Sequence, residues 1–227
     1  MKKLFLIAGF FSTIAVSAQD AEALIKKVKA KIDLVNNYEA DGIMKTNVTF
    51  LKVPEAQVKI YFKKPNLLKI KNEKGISFVP KGAVSINLNN IIGGNEYSVI
   101  DAGYEKTGAT KTRVVKLLPT DDNADVVLST LYIDETNLVI VKAKTTTRAN
   151  GSYQLDMIFG KYIAYCLPDK IVFTFNTKDY KLPKGVTFDF DDGTNVGKPA
   201  EKNNNGKAEI NFNSYTINKG VADSFFK

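Results

Sequence analysis

From Asp20 to Asn37 the apolar positions fall at helical spacing, with Leu24, Val28, Ile32 and Val35 recurring every three or four residues. Lys26, Lys27 and Lys29 occupy other faces and Lys31 flanks the stripe, so the segment reads as an amphipathic helix with basic flanks. Asp20 suits the N-cap, and Glu22 puts a negative charge in the first turn, where the helix dipole favours it. Ala23 stands where a reciprocal capping box needs Glu or Gln. The stripe lacks large aromatic residues, which favours packing on a sheet over lying in a membrane surface.

After Tyr38 the period changes to two. Ala56, Val58, Ile60 and Phe62 alternate with Gln57, Lys59, Tyr61 and Lys63, and Leu68 and Ile70 alternate with Lys69 and Lys71. Similar runs occupy Tyr97–Ile100, Thr112–Leu118, Leu128–Asp134, Leu138–Arg148, Ser152–Phe159, Lys170–Phe175 and Lys207–Ile217. Turn formers separate them at Lys64-Pro65-Asn66, Asp134–Asn137, Ala149-Asn150-Gly151 and Leu167-Pro168-Asp169. Many strands joined by short turns predict an antiparallel meander, not a parallel sheet with crossover helices. Two segments break the rhythm. Lys81–Asn95 holds an apolar stretch, Ile86–Ile92, between glycines, and reads as a short helix or a loop over the sheet. Lys184–Gly206, with Pro199 and Asn203-Asn204-Asn205, reads as a long excursion before the last strand.

The first 18 residues carry a different signal. Lys2 and Lys3 precede an apolar run that is short of the roughly 20 residues a membrane span needs. Val16 and Ala18 then supply small residues at a cleavage-like site. Residues 1–18 are therefore expected to be a signal peptide cleaved after Ala18, with residues 19–227 forming one domain outside the cytoplasm, in the periplasm. No cysteine follows the cleavage site, so no bacterial lipid anchor is encoded. Removing 18 of the 227 residues leaves 209, and losing Lys2 and Lys3 takes the formal charge from +8 to +6. Those cations are scattered among acids and amides, a solvated-face pattern that, with the export signal, argues against nucleic acid.

The chain has no histidine, which rules out Ser-His-Asp and Cys-His nucleophilic sites and histidine-ligated zinc within it. Cys166 is the only cysteine, so no internal disulfide forms and the fold rests on its core. Between Tyr165 and Leu167 it reads as a structural thiol. Asp189, Asp191, Asp192, Gly193 and Asn195 hint at a calcium loop, but the glycine falls at position 5 and Ala200 replaces the bidentate glutamate at position 12. Asp121, Asp122 and Asp125 sit among turn formers as loop carboxylates, and Gly93-Gly94 alone is no phosphate cradle. No catalytic constellation, cofactor site or metal site is predicted.

An amphipathic helix ahead of a long antiparallel sheet leaves two outcomes: an ordinary filled core, or a curled sheet enclosing an apolar cavity. Periodicity does not separate them. The segment Val58-Lys59-Ile60-Tyr61-Phe62-Lys63-Lys64-Pro65-Asn66-Leu67-Leu68-Lys69-Ile70 resembles the strand, Lys/Arg-Pro turn and strand of LolA and related periplasmic lipoprotein carriers. Tyr132-Ile133-Asp134 with Ile140-Val141-Lys142-Ala143 is similar to the family's paired strands, as is Gly151-Ser152-Tyr153 through Phe159-Gly160. Leu167-Pro168-Asp169-Lys170-Ile171-Val172-Phe173 is similar to its closing pattern, so the resemblance spans Ala21 to Asn176. Three features depart from it, one being that the segment after Lys184 does not match the family's pattern. LolA proper has an arginine on its early strands that bonds the lid, whereas the only arginines here are Arg113 and Arg148, off the predicted Tyr38–Leu51 strand. The early-strand tryptophans are absent too.

The resemblance implies a mainly β, α+β fold: a half-open antiparallel β-barrel wrapped around an N-terminal helix and a short lid helix or loop. It implies a non-catalytic monomer whose concave face shelters lipoprotein acyl chains or another lipid, with a membrane-bound donor or acceptor protein as partner. On that reading the alternating apolar faces line the cavity: Val58, Ile60, Phe62, Leu68, Ile70, Leu155, Met157, Phe159, Ile171 and Phe173, with Leu24, Val28 and Ile32 from the helix. Ile60→Asp or Phe62→Asp is then expected to abolish amphiphile binding in a folded protein. A lipid-sensing module that binds a protein partner, and a secreted structural β protein with a filled core, are the alternatives.

Overall fold

A computed structural model describes residues 13–48, 51–52, 55–72, 96–149, 151–176 and 205–226. Helix α1 (Thr13–Ile32) precedes strands β1 (Asn37–Val48), β2 (Leu51–Lys52), β3 (Ala56–Lys63), β4 (Leu67–Asn72), β5 (Tyr97–Thr107) and β6 (Thr110–Pro119). Then follow β7 (Val126–Asp134), β8 (Val139–Thr147), β9 (Gly151–Ile158), β10 (Lys170–Asn176) and β11 (Asn205–Ile217). Every pairing is antiparallel, in one sheet ordered β4-β3-β1-β11-β10-β9-β8-β7-β6-β5, with β2 paired only to β1. The last strand inserts between the first and the tenth, which joins two meanders into one half-barrel with β4 and β5 at its edges among the described strands.

The helix differs from its sequence expectation at both ends. It begins at Thr13, so Asp20 is not its N-cap and no acid lies in its first turn. No Gly or Pro interrupts residues 13–19, and the helical run continues through Ala18 into the amphipathic stretch. It ends at Ile32 instead of Asn37 because another partner takes the next backbone groups. Asn218, in the left-handed conformation at φ 55°, accepts from the N–H groups of Asn36 (2.7 Å) and Asn37 (3.3 Å) through Oδ1. Its Nδ2 donates to the Leu34 carbonyl at 2.8 Å. The chain leaving α1 is thus bracketed to the turn after β11.

The predicted Tyr38–Leu51 strand is two: β1 stops at Val48, and β2 folds back with Val48 opposite Leu51. The other strands appear where alternation puts them, most of them longer than predicted. The lid segment Lys81–Asn95 and the Asp189–Asn195 turn lie outside the described residues. So does the Lys184–Gly206 excursion up to residue 204, its last two residues belonging to β11.

One face of the sheet carries α1. Ala21, Leu24, Ile25, Val28 and Ile32 form the helix stripe, and Val28 is completely buried. They pack against Val115, Leu117, Leu131, Ile133, Leu155, Met157, Ile171 and Phe173, the inward positions of β6, β7, β9 and β10. Each fully buried aliphatic side chain of this kind stabilises the fold by about 1.5–3 kcal/mol. The Lys31 ammonium donates to the Asn137 carbonyl at 2.5 Å, tying the helix C-terminus to the β7–β8 turn.

A concave apolar trough beside the helix

The helix covers only part of the concave face. A second cluster consists of Ala40, Met44, Ala56, Val58, Ile60 and Ile210, from β1, β3 and β11, and no described member comes from α1. Half-buried Tyr38, Leu68, Ile70, Phe212 and Tyr215 pack against it. A third cluster of Val35, Phe62 and Leu167 closes one end, with Tyr38, Tyr162, Tyr215 and Ile217 around it. Phe212 packs against both the first and second clusters, so it stands on the seam between the helix-covered half and the half that no described helix residue reaches.

A bulge positions the aromatic wall. Ala40 pairs with Tyr215 and Asp41 with Ser214, but Gly42 pairs with Phe212, leaving Asn213 as an extra residue in β11. Phe212 and Tyr215, three apart in sequence, therefore share the concave face, where strict alternation would put them on opposite faces. Their rings stack at 4.9 Å, and Tyr215 also meets Tyr38 at 5.4 Å and Tyr162 at 4.9 Å. The Tyr215 hydroxyl donates to the Pro168 carbonyl at 2.8 Å. Burial pushes the phenols of Tyr38 and Tyr215 above the ordinary tyrosine range, so both stay neutral. Gly42 is required at the bulge, because a Cβ there would lie 2.7 Å from the Asn211 carbonyl oxygen.

The sequence-derived residues fall into these clusters. Leu24, Val28, Ile32, Leu155, Met157, Ile171 and Phe173 are buried in the helix-covered half, with Phe159 half-buried against it. Val58 and Ile60 are buried in the second cluster, which no described helix residue joins, beside half-buried Leu68 and Ile70, and Phe62 belongs to the aromatic end. Ile60 and Phe62 are only 3% and 4% exposed. An aspartate at either would bury a carboxylate inside packed side chains, so those substitutions test the core more than binding. Sequence reasoning missed Tyr38, Met44, Tyr162, Phe212 and Tyr215. Only the aromatic content of β11 signals this wall, because the bulge scrambles its parity.

The polar groups are arranged structurally. Arg113 lies on the concave face of β6, next to edge strand β5, where its guanidinium makes a two-pronged ion pair with Asp101 and donates to the Tyr104 hydroxyl at 2.5 Å. The Asp101 contact, ahead of the smaller contribution from Tyr104, raises the Arg113 pKa further. Arg148 donates to the Ala124 and Asp122 carbonyls, while Asp121 and Asp125 accept from the Asn123 and Ala149 N–H groups. Those carboxylates shape a turn. Cys166 is buried, its thiol pushed up to about 11 by burial against a small opposing effect of Lys31. Among the described residues, no three His, Cys, Asp or Glu side chains gather as a metal site, and no helix is long and apolar enough to cross a membrane.

The same half-barrel occurs in solved structures. An outer membrane lipoprotein-sorting protein domain from Vibrio parahaemolyticus matches with a TM-score of 0.59 at 11% identity, over 92% of this chain and 97% of that one. A DUF1329 family protein from Desulfovibrio piger matches with a TM-score of 0.60 at 11% identity, over 93% and 97%. A LolA superfamily protein from Nitrosomonas europaea matches with a TM-score of 0.52 at 10% identity, over 91% and 97%. The chain has a LolA-like fold. No family model and no curated protein matches the sequence. At such identities the likeness lies in the backbone of this LolA-like half-barrel.

Proposed function

We propose that the protein is a periplasmic carrier that holds lipoprotein acyl chains, or another amphiphile, against the second cluster of its concave face, without catalysis. The observation that supports this most is the second cluster. It is apolar, receives no described residue from the helix, and is walled by half-buried Leu68, Ile70, Phe212, Tyr38 and Tyr215. An acyl chain laid there gains about 0.8 kcal/mol per buried methylene and requires no reacting group. Partly exposed walls of this kind bind loosely enough to release cargo to a membrane-bound acceptor. The solved structures sharing the fold include one described as a lipoprotein-sorting domain, which makes lipoprotein acyl chains the first cargo to test.

On this reading residues 1–18 direct export, and residues 19–227 act as a monomeric single domain. Helix α1 runs through the Ala18–Gln19 junction. Cleavage there would bring Asp20 and Glu22 to the new helix N-terminus, where the dipole favours them.

The test is native mass spectrometry, with lipid extraction, of the protein purified from its own periplasm, followed by titration with a fluorescent amphiphile. Co-purifying acylated peptide or phospholipid identifies the cargo. An apo mass together with no amphiphile binding overturns the proposal.

A further inference from the structure

On the concave face the side chain of Thr46 is exceptional. It is 8% exposed, and its hydroxyl is the only buried side-chain N or O atom among the described residues with no hydrogen-bond partner. Other buried hydroxyls of the sheet are paired. Ser129 and Thr145 bond each other at 3.1 Å, Thr112 donates to the Glu105 carbonyl at 2.8 Å, and Thr147 donates to the Gly151 carbonyl at 3.1 Å. A buried hydroxyl gives up its water without compensation, and valine would fill the same β-branched shape without that cost. An orphan of this kind in an otherwise satisfied sheet points to a partner absent from the chain itself.

Its position indicates the partner's chemistry. Thr46 shares its face with Met44 of the uncovered cluster and stands opposite Ala208 of the covered one. The aromatic end of the trough begins at Tyr38, eight residues earlier on β1, and there the Tyr215 hydroxyl is already bonded to Pro168. At about 3.3 Å per strand residue the two points lie roughly 26 Å apart. An extended sixteen-carbon acyl chain with its first carbonyl at Thr46 runs along most of that length and stops short of the aromatic plug.

We infer that Thr46 is a specificity-determining residue that donates a hydrogen bond to the ester or amide carbonyl of the bound acyl chain, selecting acyl over alkyl amphiphiles. The inference rests on the carrier reading, and its test separates the two. Palmitoyl lysophosphatidylcholine and its alkyl-ether analogue of equal chain length differ at the first carbon by one carbonyl. Each is titrated calorimetrically, below its micelle concentration, into the parent protein, Thr46→Val and Thr46→Ser.

The parent should bind the ester about fivefold more tightly than the ether, as expected for one net hydrogen bond. Thr46→Ser should keep that preference. Thr46→Val should lose it while binding the ether as well as the parent does and melting no lower. Equal binding of both lipids by the parent, or a preference that survives in Thr46→Val, overturns the assignment while leaving the carrier reading standing. Binding of neither lipid by any variant removes the carrier reading and this inference with it. If Thr46→Val fails to fold, Thr46→Ala takes its place: it should lose the ester preference, and a preference that survives in it overturns the assignment.

Discussion

Ile70→Asp tests whether the uncovered half of the trough holds ligand. Ile70 lies on the open-edge strand β4, pairs with buried Ile60 on β3, and is half-buried. In the free protein the substitution forfeits partial burial of one isoleucine, about 1 kcal/mol, and the new carboxylate remains within reach of water. With an acyl chain over it, that carboxylate loses hydration to an apolar neighbour, and the isoleucine contact with the ligand is gone as well. The two effects together weaken binding by about 3 kcal/mol, roughly a hundredfold in Kd. The assay is displacement of a fluorescent fatty acid, with far-UV circular dichroism and a thermal melt to verify the fold. Ile100→Asp is the control: Ile100 pairs with Lys116 on the opposite face, is 46% exposed, and should leave Kd unchanged. A folded Ile70→Asp protein that binds as tightly as the parent would refute the assignment of the trough.

Gly42→Ala drives a Cβ against the Asn211 carbonyl oxygen at 2.7 Å and should cost about 2 kcal/mol in urea denaturation; an unchanged midpoint would mean the bulge yields freely. Asn218→Ala removes three hydrogen bonds bracketing the end of α1 and should lower stability by about 1–2 kcal/mol, read as a lower melting temperature. Acid should destabilise the fold modestly. Hydrogen bonds from Lys170 hold the Glu209 carboxyl below its ordinary value, and those from Lys64 and Lys29 outweigh partial burial to do the same for Asp33. Both carboxylates therefore stabilise the native state above the ordinary carboxylate range and lose that contribution as pH falls through their depressed values. Both pairs are partly solvated, so the combined effect is under about 1 kcal/mol. Glu209→Gln should flatten the acid limb of a urea-midpoint profile, and an unaltered limb would contradict the assignment.

Alternation located the strands because one face of this sheet is dry and the other is largely polar. In β3, Val58, Ile60 and Phe62 point inward while Gln57 and Lys59 stay polar. What alternation cannot register is an inserted residue. Asn213 carries no mark in the sequence, yet it brings Phe212 and Tyr215 onto one face. Tyr61 shows the converse. It sits on the outward side of β3 and is nevertheless buried, because Phe225 from the C-terminal turn Asp223–Phe226 stacks on it at 4.3 Å and Lys63 pairs with Asp223 at 2.5 Å. Contacts between residues more than 150 positions apart are invisible to a local pattern. The helix end was misread for the same reason, since the bracket at Asn36 and Asn37 comes from Asn218.

The division of the concave face follows from two competing requirements. A sheet this long has no disulfide to hold it, so it needs a large dry core, and α1 provides one by covering β6 to β10. A binding surface needs the reverse: apolar side chains held in place but incompletely covered. The stripe ends at Ile32 and the Asn218 bracket carries the chain straight into β1. Phe212 then stands where the covered half meets the uncovered one. On the proposed carrier reading, stability resides mainly on the helix side of that seam and ligand contacts on the other. Substitutions in the helix-covered cluster should therefore lower the melting temperature first, whereas those at Leu68, Ile70 and Phe212 should change amphiphile affinity by more than their effect on stability accounts for.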